Sequence, residues 1–215
     1  MITSPLLQKI PGIVHGFGTI ADPRPVNAVT VKQVHGVKIL EPDSVSSFEH
    51  EGYDTVLTDR PGLAVAVKTA DCQPILIVEP QKKIVAAVHA GWKGTLLRTV
   101  QAAIRRMEEK GGSAKNLVCA LGPNMVGRCF EVEADVAGDF EREFPGWPVL
   151  KKISGAKWLL DVTLANRLQL REAGVPDAQV DHIDLCTHCR PDLFWSFRRD
   201  GEKAGRMVNF IQILS

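Results

Sequence analysis

Short apolar runs separated by turn residues fill the first half of the chain, a pattern typical of β-strands. Leu63–Val67 and Pro74–Val78 are apolar throughout, as expected for strands buried on both faces. The turn residues Glu79–Lys82 would return the second run into Lys83–Ala90 as an antiparallel neighbour. We therefore expect Pro74–Val78 to be a middle strand of one sheet, flanked by Leu63–Ala70 and Lys83–Ala90.

Three later segments have the helical spacing of apolar positions. The first begins at Thr95 and ends at Gly111–Gly112, because glycine accepts the left-handed conformation at a helix end. The second covers Glu133–Glu143, and the third follows Asp161, a good N-cap, and ends near Gly174. Further strands are predicted at Val180–Leu185 and Met207–Leu214. This order predicts an α/β or α+β fold with mixed sheets, in one domain over residues 1–215.

Charge and cysteine usage narrow the class of protein. The 215 residues carry 26 Lys and Arg against 25 Asp and Glu, which argues against a nucleic-acid or anionic-membrane partner. The first residues lack the features of a signal peptide, and no apolar run approaches the ~20 residues that span a bilayer. Five cysteines without a secreted spacing pattern indicate reduced thiols. We expect a cytoplasmic protein, either a monomer or a weak homo-oligomer.

Metal-capable side chains occur at the ends of predicted strands. His35 lies in a turn, Cys72 lies between two buried strands, and His89 connects a strand to the first helix. Two imidazoles and one thiolate suit Zn²⁺ at ~2.0–2.3 Å, and three protein ligands leave a fourth position open, as in catalytic zinc sites. The spacing alone also allows Cys72 to be a nucleophile with His89 as its base, or a small buried apolar residue.

Cys186 and Cys189 form a Cys-x-x-Cys pair. A structural zinc would need a second ligand pair, and neither Cys119 nor Cys129 has matching spacing. Redox use would call for a thioredoxin-like βαβ unit, which the surrounding pattern lacks. The sequence therefore favours neither metal binding nor redox chemistry at this pair.

Several cations are candidate contacts for a phosphate. Lys93 stands between Gly91 and Gly94 at the start of the first helix, where backbone N–H groups can face an anion. More cations follow near the end of the chain, at Arg198, Arg199 and Arg206. The alternative for this last group is a solvated turn paired with nearby acidic residues.

An ordered series of motifs covers the chain from about His15 to Ile211. The series consists of Gln-Val-His-Gly at 33–36, Ala-Asp-Cys-x-Pro-Ile at 70–75, Val-His-Ala-Gly-Trp-Lys-Gly at 88–94, Leu-Gly-Pro at 121–123, Cys-Phe-Glu-Val at 129–132, Cys-Thr at 186–187 and Phe-Trp-Ser-Phe-Arg-Arg-Asp-Gly at 194–201. Together these motifs resemble the signatures of the laccase-domain (YfiH-like) family. The chain departs from that family before Gln33, where a Gly-Gly-x-Ser segment is missing.

The resemblance implies a four-layer α/β/β/α fold with mixed sheets and a zinc site made by His35, Cys72 and His89. It also implies an enzyme, both transferase and hydrolase, whose substrates are purine nucleosides and phosphate. Phosphorolysis of adenosine, inosine, guanosine and methylthioadenosine, with adenosine deamination, is the leading hypothesis. Editing of peptidoglycan precursors and copper-dependent polyphenol oxidation stay open, although six histidines are few for a multicopper site.

The leading hypothesis gives the candidate residues their roles. His35, Cys72 and His89 would hold the metal and act in catalysis. Asp71 is the nearest carboxylate for proton transfer, or else it stabilises a turn. The candidate substrate and phosphate contacts are Gln33, Lys93, Arg198, Arg199 and Arg206.

Overall fold

The computed structural model describes residues 1–23, 28–44 and 50–215. The strands in these ranges are β1 (Ile13–Gly16), β2 (Ala28–Val29), β3 (Val31–Lys32), β4 (Ile39–Leu40), β5 (His50–Glu51), β6 (Thr55–Thr58), β7 (Ala64–Thr69), β8 (Gln73–Glu79), β9 (Ile84–Ala90), β10 (Val118–Leu121), β11 (Glu131–Val132), β12 (Leu150–Ser154), β13 (Lys157–Leu160), β14 (Val180–His182) and β15 (Met207–Ile213). The α-helices are α1 (Trp92–Leu96), α2 (Thr99–Glu109), α3 (Ala134–Glu143), α4 (Val162–Glu172) and α5 (Phe197–Asp200). Among the described helices, none combines the length and apolar character needed to cross a membrane.

Two larger sheets form the centre of the molecule. One has the strand order β14-β10-β8-β9-β6-β4, and the other has the order β1-β15-β7-β2. Strands β8 and β9 are antiparallel, with Ile75 opposite Val88, as the sequence predicts. Each sheet also contains a parallel pair, β10 with β14 in the first and β2 with β7 in the second. The expected mixed α/β fold with mixed sheets is therefore confirmed.

The layers follow from the two faces of the six-stranded sheet. One face packs against apolar residues of α2 and α4, such as Ile104 and Leu170. The other face packs against the four-stranded sheet, where Leu76 and Val85 meet Val67. Burying each such aliphatic side chain contributes roughly 1.5–3 kcal/mol. The described residues thus stack α-helices on the six-stranded sheet and that sheet on the four-stranded one, in keeping with the implied layered α/β fold.

A smaller unit packs beside these layers. Strands β11, β13 and β12 form a three-stranded antiparallel sheet. Phe140 and Phe144 of the α3 region pack in one apolar cluster with Leu160 of β13 and Ala165 of α4. This cluster fixes the start of β11, next to Phe130, which lines a cavity of the candidate site described below.

One predicted strand lies in a different sheet from the one expected. The strand within Leu63–Ala70 is β7, and it pairs with β15 and β2 rather than with β8. The second neighbour of β8 is β10. A strand that is apolar on both faces carries no periodic signal to say which sheet it enters. Cys72 and His89 still lie at one edge, because the β8–β9 hairpin brings them there.

The helix predicted from Thr95 is two helices, α1 and α2. Between them Arg98 adopts a left-handed conformation with φ of 63°. Its guanidinium donates to Glu143 and Glu172, each at 2.6 Å, at the ends of α3 and α4. These partners are distant in sequence, so local periodicity could not reveal the break.

The other predicted helices and strands are confirmed with small shifts at their ends. Helix α3 begins at Ala134, and Asp161 caps α4 by accepting a hydrogen bond from the backbone N–H of Leu164 at 2.8 Å. Strand β15 ends one residue before the predicted boundary. Strand β14 covers only the first half of the predicted segment.

Candidate metal centre

Three segments far apart in sequence bring two imidazoles and one thiol together. Cys72 Sγ lies 3.8 Å from Nε2 of His35, and the ligand atoms of His35, Cys72 and His89 all lie within 4.8 Å of one another. Sulfur and nitrogen bound to tetrahedral Zn²⁺ at ~2.3 and ~2.0–2.1 Å are about 3.6 Å apart. The donor set and its spacing therefore fit one soft divalent ion.

The backbone around these residues is shaped for close approach. His89 lies opposite Pro74 in the β8–β9 pair, two residues from Cys72. A Cβ atom at Gly91 would lie 2.9 Å from Cys72 Sγ and 2.9 Å from Cδ2 of His35. Real Cβ atoms essentially never come this close to a neighbour, so the position needs glycine.

Asp54, immediately before β6, is a site residue that the sequence reasoning missed. It is fully buried. Its carboxylate accepts hydrogen bonds from the backbone N–H groups of His35 and Gly36, at 2.8 and 2.7 Å, and from Nδ1 of His89 at 2.8 Å. Donation from Nδ1 leaves Nε2 of His89 free to bind a metal, the arrangement that orients many metal-ligating histidines. The only sequence signal is one acidic residue at the start of an apolar strand.

The ionisable groups of the centre shift one another's pKa values toward the charged forms. Burial opposes an ionised thiol, but His89 and His35 lower the pKa of Cys72 to about 6. Burial likewise opposes an imidazolium, but Cys72 and Asp54 raise the pKa of His89 to about 9. Burial also acts to raise the pKa of Asp54, yet the hydrogen bond from His89 and those from backbone N–H groups lower it. The metal-free centre thus favours a thiolate, which is the form of cysteine that binds metals.

Two cavities adjoin the donor set. The first has a volume of about 310 Å³, and its wall includes Trp92, Phe130, Phe197 and Arg198. The second has a volume of about 340 Å³, and its wall includes the cations Lys32, Lys68 and Arg206. Both cavities share His35 and Cys72. One cavity is therefore aromatic, the other cationic, and the candidate ligands lie between them.

Asp71 and Gln33 lie beside the centre with their polar groups engaged. The Asp71 carboxylate accepts from Oγ1 of Thr187 at 2.6 Å, from Oγ of Ser196 at 2.9 Å and from the backbone N–H of Arg198 at 2.8 Å. The Gln33 amide donates to the carbonyl of Lys68 at 2.7 Å and accepts from its N–H at 2.9 Å. Asp71 lines the first cavity and Gln33 lines the second.

The four candidate cations divide into two groups. Arg198 lines the first cavity and Arg206 lines the second. Lys93 is exposed and lines neither cavity, with its Nζ 5.4 Å from the centroid of the neighbouring Trp92 ring. Arg199 also lines neither, because its guanidinium is directed at Asp200 and at backbone carbonyls. The structure thus brings two of the four cations to the centre.

The Cys-x-x-Cys pair has a partner that spacing did not indicate. Cys129 lies 60 residues before Cys189, and their Sγ atoms are 3.3 Å apart. The two residues meet because a bridge between Asn124 and Cys186 aligns their segments. Spacing rules for zinc knuckles cover short separations only, so this contact required the tertiary structure.

Fold and site together define a class: a mixed α/β protein with a His₂Cys donor set between two cavities. The chain belongs to the family described as multi-copper polyphenol oxidoreductase laccase, whose family model matches residues 19–214. The resemblance noted in the sequence motifs is thereby confirmed.

Several known proteins are similar to this chain. A purine nucleoside phosphorylase of Bacteroides thetaiotaomicron is 36% identical over 75% of this chain and 61% of its own length. Adenosine deaminase RL5, from an unknown prokaryotic organism, is 36% identical over 73% of this chain and 60% of its own length. The crystal structure of YlmD from Geobacillus stearothermophilus superposes with a TM-score of 0.90 at 25% identity, covering 99% of this chain and 94% of that one. The chain thus spans about three fifths of the length of these two curated relatives.

Proposed function

We propose that this protein is a zinc-dependent enzyme that cleaves purine nucleosides with phosphate and also deaminates adenosine. The observation that carries the proposal is the His₂Cys donor set between an aromatic cavity and a cationic one. Relatives named purine nucleoside phosphorylase and adenosine deaminase support the same substrate class. A zinc ion held there would supply Lewis-acid activation of water for attack on C6 of adenine.

The first cavity suits a purine nucleoside. Its volume of about 310 Å³ is at the lower end of the ~300–1,000 Å³ range of small-molecule sites. Trp92, Phe130 and Phe197 supply flat apolar surfaces for a base, and base–aromatic stacking contributes roughly 1–3 kcal/mol. The Arg198 guanidinium lies over the Phe130 ring at 5.4 Å and donates to the carbonyl of Glu131 at 3.1 Å. We infer that Arg198 binds the sugar side of the nucleoside.

The second cavity suits the phosphate. Lys32, Lys68 and Arg206 line its wall, and Lys32 is paired with Glu51 at 2.6 Å. In phosphorolysis a phosphate oxygen forms a bond to C1′ while the bond from C1′ to the base nitrogen breaks, and the base takes the electron pair and a proton. Cations near the phosphate keep it aligned as charge develops on the ribose. The shared wall at His35 and Cys72 would let the two substrates meet.

Asp71 has a positioning role in this proposal. Both of its oxygens already accept hydrogen bonds from the protein, so the carboxylate is held in place. Its bond to the backbone of Arg198 fixes the start of α5 beside the first cavity. We expect Asp71→Asn to weaken substrate binding more than it changes the pH profile of turnover.

Incubation of the zinc-loaded protein with phosphate and either inosine or adenosine tests the proposal. Chromatography should show hypoxanthine and ribose 1-phosphate from inosine, and inosine with ammonia from adenosine. His89→Ala should abolish both reactions because it removes one ligand. Arg198→Ala should raise the KM for nucleosides, whereas Arg190→Ala should not, since Arg190 pairs with Asp192 on the surface.

Some outcomes of this assay would contradict the proposal. Zinc-loaded protein that forms neither product, with His89→Ala indistinguishable from the wild type, would exclude both reactions. Copper-dependent oxidation makes a different prediction: copper-loaded protein should turn blue and oxidise phenols. Only two histidines, His35 and His89, converge in the described metal-type centre, whereas a multicopper oxidase needs further histidines for a copper cluster. We therefore expect copper-loaded protein not to oxidise phenols.

A further inference from the structure

A second group of soft metal ligands lies apart from His35, Cys72 and His89. The sulfurs of Cys129 and Cys189 are 3.3 Å apart, and these sulfurs and a ring nitrogen of His188 lie within 4.8 Å of one another. Cys186, which is 3% exposed, stands in the same loop, two residues before His188 and three before Cys189. Two sulfurs and one imidazole therefore share one small region, with a third thiol nearby in the same loop.

The loop that carries three of these donors is fixed by other contacts. Arg199 donates from Nη1 to the carbonyls of Thr187 and His188, each at 3.0 Å. The backbone N–H of Arg190 donates to the carbonyl of Cys186 at 3.1 Å. The donors are therefore held close together without any bond between them.

The sulfur separation distinguishes a metal site from a disulfide. Two thiolates on a tetrahedral Zn²⁺ at ~2.3 Å are about 3.8 Å apart, whereas disulfide sulfurs are ~2.05 Å apart. The observed 3.3 Å between Cys129 and Cys189 is nearer to the first value. A disulfide would also leave Cys186 and His188 without a role. Three cysteines and one histidine are a common ligand set of structural zinc.

We propose that Cys129, His188 and Cys189, with Cys186 of the same loop as the fourth ligand, form a second metal site that binds Zn²⁺ as a structural ion. Each thiol that coordinates loses one proton to solvent as its sulfur–zinc bond forms, and no electron is transferred. Cys129 precedes the cavity residue Phe130, and the loop after Cys189 leads to α5, whose Phe197 and Arg198 also line that cavity. The ion thus joins two segments of the aromatic cavity's wall without itself lining the cavity.

Zinc analysis of the purified full chain is the first test. The wild type should hold two zinc ions, Cys72→Ser should hold one, and Cys189→Ser should hold one. Cys189 is exposed, so its substitution should leave the fold intact. Cys119→Ala is the matched control, because this cysteine is buried in β10 outside both ligand groups, and it should keep two ions.

Cobalt titration of metal-free Cys72→Ser is the second test, and it needs no change in the second site. This variant lacks the one thiolate of the first centre, so any thiolate-to-cobalt charge-transfer absorption must arise elsewhere. We expect a strong band in Cys72→Ser and its loss when Cys129→Ser is added. The cobalt band does not depend on nucleoside turnover, so it tests the second site separately from the proposed function.

Three results would overturn the second site. One is a wild-type chain with a single zinc ion that Cys189→Ser retains. Another is the absence of the cobalt band in Cys72→Ser. The third is an unreduced intact mass lower by two hydrogens that returns to the reduced mass in Cys189→Ser, since this identifies a disulfide in place of a metal site.

Discussion

Asp54→Asn tests how far one buried carboxylate fixes the metal centre. In the native protein this carboxylate accepts three backbone N–H bonds, from Val34, His35 and Gly36 at 3.2, 2.8 and 2.7 Å. It also accepts from Nδ1 of His89 at 2.8 Å. Asparagine keeps one acceptor oxygen and replaces the other with an NH₂ group, which cannot accept. At least one buried donor therefore loses its partner.

This loss should change two free energies, that of unfolding and that of zinc binding. Leaving a buried donor unsatisfied costs about 1–3 kcal/mol, so the metal-free variant should unfold at lower denaturant concentration. Loss of the partner that orients a metal-ligating histidine typically lowers metal affinity about 10–100-fold, or about 1.4–2.7 kcal/mol. The loss of zinc affinity should be larger than the loss of overall stability explains, because His89 is then free to rotate or to change tautomer.

Competition against a chromophoric chelator would measure zinc affinity, and urea unfolding of the metal-free protein would measure stability. Asp59→Asn is the matched control: it removes the same charge five residues away but loses only a surface ion pair with Lys110 at 2.8 Å, worth roughly 0–1 kcal/mol. Unchanged zinc affinity in Asp54→Asn, with a fold as stable as that of Asp59→Asn, would refute the role assigned to Asp54.

Two further predictions concern a close contact and a buried histidine. Gly91→Ala should lower the zinc content, since its Cβ would lie 2.9 Å from Cys72 Sγ, whereas Gly138→Ala in α3 has nothing within 4 Å and should retain the metal. Burial lowers the pKa of His15, whose Nε2 accepts from the backbone N–H of Ser4 at 2.8 Å. As the pH falls, His15 therefore binds a proton at a higher pH in the unfolded chain than in the folded protein. The free energy of unfolding should decrease from about pH 7.5 to about pH 5.5, as the pH passes the pKa of about 6.5 that histidine has in the unfolded chain. Urea unfolding should show a smaller decrease in His15→Gln, and an equal decrease would contradict this assignment.

Local chemistry explains what the sequence could predict. The Asp161 cap, the end of α2 before two glycines and the β8–β9 hairpin depend on contacts within a few residues. The candidate trio of His35, Cys72 and His89 was suggested by residue types at strand ends and singled out by the motifs that resemble the laccase-domain family. These residues converge through one hairpin, β8–β9, and one turn, which carries His35.

Long-range contacts explain the rest. Asp54 looks like any acidic residue before a strand until its backbone partners are known. Cys129 carries no signal either, since its partner is 60 residues away. The break at Arg98 is accompanied by two ion pairs to residues of other helices, Glu143 and Glu172. In each case the local pattern is compatible with a simpler alternative, and only the packing of distant segments excludes it.

Asp71 connects the two ligand groups. It precedes Cys72 and has a left-handed φ of 86°, a conformation that costs on the order of 1–3 kcal/mol and persists only when surrounding contacts hold it. One of those contacts is the Thr187 hydroxyl, at 2.6 Å, and Thr187 stands between Cys186 and His188. The position of Cys72 in the first centre thus depends on the loop that carries the second. Any ion bound by that loop would stabilise the backbone on which the first ion depends, and loss of the second ion should weaken the first.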